Sequence, residues 1–223
     1  IRHSFIPERG NLFLSADYSQ IDLRVLAHVS KDENLINAFN NNEDIHNKTA
    51  KELFLVDEVN PEMRRVAKTV NFGISYGMSP YGLSQDLGIP VEEAKQYIEK
   101  YFNNYSKVKK YIEETIELAK QQGYVSTILG RRRYIPDINS SNANLCGFAE
   151  RTAVNTPVQG TSSDIIKVAM LRIFKRIKEE KKDVKMLLQI HDELLFEIPE
   201  EKLIEETNWI KKEVENSIKL IVP

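Results

Sequence analysis

Met186-Leu-Leu-Gln-Ile-His-Asp-Glu-Leu-Leu-Phe-Glu-Ile198 places two apolar runs, 186–190 and 194–198, on either side of His191-Asp192-Glu193. Short apolar runs parted by a polar break read as a β-hairpin, with Asp192 at its tip. The other strand signal lies at the far end of the chain, in Asn11-Leu-Phe-Leu-Ser-Ala16, and it stops at Asp17. Between these ends the pattern is helical. The expected fold is α+β: an antiparallel sheet drawn from both ends of the chain, with packed helices and a mainly helical insertion between its strands.

The intervening helices announce themselves by spacing and caps. Ile21, Leu23 to Leu26 and Val29 follow Asp17 with helical periodicity. Asn40 to Asp44 reads as a loop. Asn60 and Pro61 suit the N-cap and first turn of a helix that Gly73 and Gly77 end or loosen. A long helical region runs from Pro90 to Gly123. Arg131 to Pro136 reads as a basic connection, and Asn139 to Asn144 as a polar loop. The next helix starts near Phe148, is expected to break at Pro157, and resumes over 161–177. A last amphipathic helix covers about 200–217. The chain starts at Ile1 and ends in Ile218-Lys-Leu-Ile-Val-Pro223, which reads as another strand beginning, so the sequence is expected to be a piece of a longer protein.

Bulk properties exclude more than they reveal. The 223 residues carry 31 Lys+Arg against 33 Asp+Glu, a net charge of -2. No overall basicity advertises a nucleic-acid binder, so any such surface must be a local patch. Cys146 is the only cysteine and forms no internal disulfide framework. No apolar run approaches the roughly 18 residues that cross a bilayer, and no signal peptide is visible. A cytoplasmic setting without a membrane is expected.

Three constellations carry possible chemistry. If the hairpin and the first strand share a sheet, Asp17 and Asp192 meet at one edge, joined by Glu193. Clustered carboxylates repel, and hard divalent cations relieve the repulsion. Taken singly, Asp192 also suits a turn, and Asp17, with Ser19 and Asp22, also suits a helix cap. Arg64, Lys68 and Phe72 recur every four residues, a charge–charge–flat-surface stripe suited to a nucleoside triphosphate, with no acid at matching positions of the neighbouring turns. A solvated basic face with a core phenylalanine is the plainer alternative. Arg151, Asn155 and Gln159 form a third stripe, able to donate to minor-groove acceptors common to all base pairs. Arg131-Arg132-Arg133 could meet phosphates by charge alone. Ordinary surface polarity is the alternative for both.

These residues resemble a known family. Ser15-Ala-Asp-Tyr-Ser-Gln-Ile-Asp-Leu-Arg24 resembles the first catalytic motif of the DNA polymerase I family. Arg64-Arg-Val-Ala-Lys-Thr-Val-Asn-Phe-Gly-Ile-Ser-Tyr-Gly77 resembles its fingers-helix motif. Gln189-Ile-His-Asp-Glu-Leu194 resembles its last catalytic motif, and Ala149-Glu-Arg-Thr-Ala-Val-Asn-Thr-Pro-Val-Gln-Gly160 resembles the stretch between. The resemblance covers nearly the whole chain. It implies a palm over 1–33 and 136–223, truncated at its C-terminus, with fingers over 34–135.

It also implies template-directed DNA synthesis for replication and repair. A primer 3′-hydroxyl would attack the α-phosphorus of a deoxynucleoside triphosphate with two Mg2+ ions. Asp17 and Asp192, the Tyr18 carbonyl and Glu193 would serve the metals. Arg64, Lys68 and His46 would hold the triphosphate, Lys68 serving as proton donor to pyrophosphate. Gln20, Asp22, Phe72 and Tyr76 would complete the nucleotide site. Arg131, Arg151, Asn155, Gln159 and His191 would touch primer–template DNA, and the protein would act as a monomer.

The family usually has Glu at the position of Asp22, which screens the sugar 2′ position, and often Arg where Ser141 and Cys146 stand. Its thumb and exonuclease domains are missing, so little or no activity is expected of these residues alone. A two-metal nuclease and a non-catalytic nucleic-acid-binding relative are the rival readings.

Overall fold

The computed structural model describes residues 4–223. In chain order the elements are β1 (Asn11–Asp17), α1 (Ile21–Ser30), α2 (Glu33–Asn40), α3 (Ile45–Phe54), α4 (Pro61–Ser75), α5 (Pro80–Leu87), α6 (Val91–Asn104) and α7 (Ser106–Gln122). They continue with β2 (Tyr124–Ser126), β3 (Arg132–Tyr134), α8 (Ala143–Glu179), β4 (Lys185–Ile190), β5 (Glu193–Pro199) and α9 (Leu203–Glu215). The chain divides into two compact units. One joins the N-terminal stretch up to Ile21 to Ser162–Lys219; the other is Asp22–Thr161 with Leu220–Pro223. The division falls at 21/22 and 161/162, whereas the sequence reading placed its boundaries at 33/34 and 135/136.

The first unit is built on the antiparallel sheet β1-β5-β4. Residues from the two ends pair in full register, from Asn11 opposite Pro199 to Asp17 opposite Glu193. Alternation along β5 turns Leu194, Phe196 and Ile198 inward, each with no exposed surface. Burial of each such side chain is worth about 1.5–3 kcal/mol. Helix α9 packs on β1 and β5 and buries Trp209, Ile210 and Val214. From α8, Ile165, Ile166, Ala169 and Ile173 are buried. Strand β4 lies at the sheet edge and carries a bulge between Met186 and Leu188.

The second unit is mainly helical. Asn60 caps α4 as expected, its Oδ1 accepting the Met63 N–H at 2.9 Å, with Pro61 in the first turn. The region 90–123 is two helices, not one. Tyr101 and Tyr105 are both fully buried with ring centroids 4.6 Å apart, and Tyr105 leaves helical geometry at φ -118° to end α6. Gly123 ends α7 in the left-handed region. The basic connection of the sequence reading contains β3, which pairs with β2 from Tyr124–Tyr134 to Ser126–Arg132. Three residues per strand are too few for periodicity to register.

The expected break at Pro157 does not occur: α8 runs unbroken from Ala143 to Glu179. Proline inside a helix costs about 3 kcal/mol. Here Pro157 is buried, as are Ala153, Val154 and Val158 of the same helix, and burial offsets that cost. The helix starts earlier than read, because Asn142 Oδ1 caps it by accepting the Asn144 and Leu145 N–H groups at 2.9 and 3.4 Å. The strand expected at 218–223 is likewise not formed. Arg24 Nη1 donates to the Pro223 carbonyl at 2.5 Å, and the Ile221 N–H donates to His28 Nδ1 at 3.1 Å.

Candidate active site

In the sheet unit, register brings the distant carboxylates together. Asp17 ends β1 directly opposite Glu193, the first residue of β5, and the Tyr18 N–H donates to the Asp192 carbonyl at 3.2 Å. Ile190 pairs with Glu193, so the turn is only His191-Asp192. His191 sits at φ 56° and Gln20 at φ 55°, so strained backbone flanks both acidic positions. Ser15 Oγ donates to Glu193 Oε1 at 2.6 Å. The Tyr18 hydroxyl donates to the Val214 carbonyl at 2.8 Å, pinning this corner to α9. Burial pushes the Tyr18 phenol up, although its Ser217 partner works the other way.

Two acids directly opposite on neighbouring strands destabilise one another unless a cation lies between them. Among the described residues, no group of three or more His, Cys, Asp or Glu side chains is arranged to hold a metal ion by itself. Mg2+ rarely uses such a cage: one or two carboxylates, waters and substrate phosphates suffice. Paired strand-end carboxylates with nearby backbone carbonyls are hard oxygen donors of that kind, and they fit it.

In the helical unit, α4 carries Arg64, Lys68 and Phe72 as one stripe. Arg64 is not left without an acid. Its Nε and Nη2 both donate to Asp44 Oδ2, at 3.2 and 2.8 Å. Asp44 is the N-cap of α3, and it accepts from the His46 and Asn47 N–H groups. Burial alone would raise the Asp44 carboxyl, but the Asn47 N–H, Arg64 and the His46 N–H together hold it below its ordinary value. Arg65 pairs with Glu62 one turn back. The stripe has no acid at matching positions of its neighbouring turns, but Asp44 approaches Arg64 from the start of another helix and Glu62 pairs with Arg65.

The aromatic end of the stripe is a short stack. Lys68 Nζ lies 5.9 Å from the Phe72 centroid, Phe72 stacks on Tyr76 at 6.1 Å, and His46 lies 5.7 Å from Phe72. The Tyr76 hydroxyl donates to Asp22 Oδ2 at 3.0 Å. His46 is only 3% exposed. Its imidazolium form is disfavoured first by burial and then by Arg64 and Lys68, and these outweigh Asp44, taking the pKa to about 4. His46 is thus a neutral imidazole near pH 7.

The third stripe is continuous because α8 is. Arg151 and Gln159 are exposed and Asn155 is half-buried. Gly77, at φ 65°, lies against Arg151: a Cβ there would stand 3.5 Å from the Arg151 Cα. Arg131 has a structural bond as well, Nη2 donating to the Gly160 carbonyl at 3.0 Å. The Ile128 N–H reaches Thr161 Oγ1 at 3.1 Å, which ties the β2–β3 hairpin to α8.

Sequence reasoning missed Asp44, Ser15, Thr49 and Asn71. An Asx residue before the periodic run from Ile45 was a usable sign of the Asp44 cap. Nothing in the sequence pointed to its bond with Arg64.

A carboxylate pair ends the sheet of one unit, and a helix bearing Arg64, Lys68 and Phe72 lies in the other. The profile of DNA polymerase family A matches residues 1–223, and the chain belongs to that family. It is 51% identical to the DNA polymerase I of Caldicellulosiruptor bescii over 225 residues and 52% identical to that of Bacillus subtilis over 226. Each alignment covers 100% of this chain and 26% of the relative, so the chain spans about a quarter of their length. A solved structure described as the POL domain of Pol1 from M. smegmatis, in complex with DNA primer-template and dNTP, superposes with a TM-score of 0.96. It is 45% identical, and the match covers 100% of this chain and 40% of that one. The α+β expectation agrees with this likeness. Among the described residues no helix is long and apolar enough to cross a membrane.

Proposed function

We propose that this chain is the palm and fingers portion of a template-directed DNA polymerase, acting as a monomer in replication and repair. The observation that carries the proposal is the pairing of Asp17 with Glu193 and of Tyr18 with Asp192. It sets two motifs from opposite ends of the chain side by side. Residues 1–33 and 136–223 serve as palm: Asp17 and Asp192, with the Tyr18 carbonyl and with Glu193 beside them, would hold two Mg2+ ions. When bound, such ions supply Lewis-acid stabilisation of the attacking and leaving oxygens.

Residues 34–135 serve as fingers. Arg64 chelates phosphate oxygens of the deoxynucleoside triphosphate with its planar fork. Lys68 gives a proton to the departing pyrophosphate oxygen, and His46 donates a hydrogen bond to the triphosphate. Phe72 and Tyr76 form the flat wall against base and sugar. Gln20 and Asp22 border the nucleotide, with Asp22 under the sugar. Arg131, Arg151, Asn155, Gln159 and His191 contact primer–template DNA through features common to all base pairs. The stacked wall of Phe72 and Tyr76 beside Lys68 favours this reading over a nuclease, which needs the carboxylates but not a triphosphate wall.

The test uses the intact polymerase with Asp17→Ala. Primer extension should vanish while DNA binding persists. Near-normal extension would defeat the proposal.

A further inference from the structure

Behind His46 lie buried groups that have no part in the reaction described so far. His46 Nδ1 lies 3.1 Å from Asn71 Nδ2, and Asn71 Oδ1 accepts from Thr49 Oγ1 at 3.2 Å. Thr49 Oγ1 lies 3.3 Å from the Tyr105 hydroxyl. Thr49, Asn71 and Tyr105 are at most 1% exposed, so water has little access to these bonds.

Proton counting gives the chain a direction. An amide nitrogen has hydrogens and no free lone pair, so Nδ1 accepts from Asn71. A neutral imidazole whose Nδ1 accepts carries its hydrogen on Nε2. Thr49 has one hydroxyl hydrogen and commits it to Asn71 Oδ1. Tyr105 must then donate to Thr49.

Near this run of bonds, Glu52 Oε2 is buried with no hydrogen-bond partner. That is tolerable for a neutral carbonyl oxygen and costly for a carboxylate. The charges around Glu52 are mixed. Burial pushes its carboxyl up, Asp32 and Glu43 add to this, and Tyr105 and Lys48 oppose it. Tyr101, fully buried, is also within its electrostatic reach. Around His46 the facing groups are Asp44, Arg64 and Lys68.

We infer that Asn71 is a positioning residue: a one-way chain of hydrogen bonds from Tyr105 through Thr49 presents its NH2 to His46 Nδ1, and so fixes the imidazole as the tautomer whose Nε2–H donates to a phosphate oxygen. The inference rests on the triphosphate role proposed for His46. It deepens that role, because the opposite tautomer would offer a lone pair to an anion.

Ring-nitrogen NMR on the 223-residue chain labelled with 15N-histidine tests it, with His46 assigned from a His46→Gln variant. Near neutral pH the His46 Nε2 should resonate as a protonated nitrogen and Nδ1 as an unprotonated one. Thr49→Val, which keeps the shape but removes the donor to Asn71, should shift the ring toward a mixture of tautomers. Asn71→Asp, which presents an acceptor, should move the hydrogen to Nδ1 and weaken dTTP binding about ten-fold, the loss of roughly one charge-assisted hydrogen bond. A protonated Nδ1 in the unsubstituted chain, or a Thr49→Val ring with an unchanged tautomer, overturns the inference. If instead the tautomer is as stated and Mg2+–dTTP leaves the Nε2 resonance unmoved, the relay stands and the phosphate role of His46 is refuted.

Discussion

Replacing Gly160 with alanine pits two opposing effects against each other at one atom pair. Gly160 lies inside α8, where alanine should gain about 0.8–1 kcal/mol of helix propensity. An added Cβ, however, would stand 2.6 Å from Thr127 Cγ2, a distance real side chains do not tolerate. Thr127 cannot swing aside cheaply. It is 4% exposed, β-branched, and its Oγ1 accepts the Arg131 N–H at 3.3 Å. Overpacking of this kind costs about 1–3 kcal/mol, so Gly160→Ala should destabilise by about 1 kcal/mol net.

Thr127→Ser removes the offending methyl and keeps the hydroxyl. In that background Gly160→Ala should change sign and stabilise by up to about 1 kcal/mol. Urea denaturation of the four proteins gives the coupling directly, with an expected value of about 1–3 kcal/mol. A coupling below about 0.5 kcal/mol, the usual limit for independent sites, would show that the hairpin does not bear on the helix at this glycine.

Three further outcomes are expected. Glu52, whose carboxyl is raised by burial, binds its proton more tightly when folded; its stabilising effect is full below about pH 4.5, the ordinary carboxyl range, and is lost as pH rises toward the folded value. Glu52→Gln should therefore gain stability relative to the unsubstituted chain between pH 4 and pH 7, and denaturation midpoints that keep a constant offset over that range would contradict it. Asp44, held below its ordinary value, stabilises above about pH 4 and loses that contribution as pH falls through the folded value; Asp44→Asn, which still caps α3, should flatten the acid limb of the stability curve. In the intact polymerase Asp22→Glu lengthens the group that Tyr76 holds by one methylene, and should lower ribonucleotide incorporation relative to deoxynucleotide; an unchanged ratio in a primer-extension assay would place sugar selection elsewhere.

What could be foreseen from the residues was whatever repeats locally. The two apolar runs of 186–198 and the apolar run ending at Asp17 were enough to suggest the sheet, because each strand signal is local. The Asn60-Pro61 cap and Gly123 stop were legible for the same reason: cap chemistry acts within a turn. Three features were not legible. Pro157 carries a helix-breaking signal, and the burial that overrides it is set by the folded chain rather than by the local sequence. Strand β3 is three residues long, too short for a period. The partners of Arg64 and His46 lie 20 and 25 positions away on other helices. At the site, residue types and spacing pointed to Asp17, Asp192, Arg64, Lys68 and Phe72, whereas the groups that orient them belong to tertiary structure.

The sheet register has a kinetic side. Ser15 and Glu193, joined by a hydrogen bond, are 178 positions apart. On a ribosome adding roughly 5–20 residues per second, β1 must wait on the order of 10–35 s for β5 to be made. During that interval an apolar strand is exposed with both edges open, a ready template for wrong pairings. Misfolding should therefore fall when the nascent chain is shielded at β1, and the acidic pair should be among the last parts of the sheet unit to form.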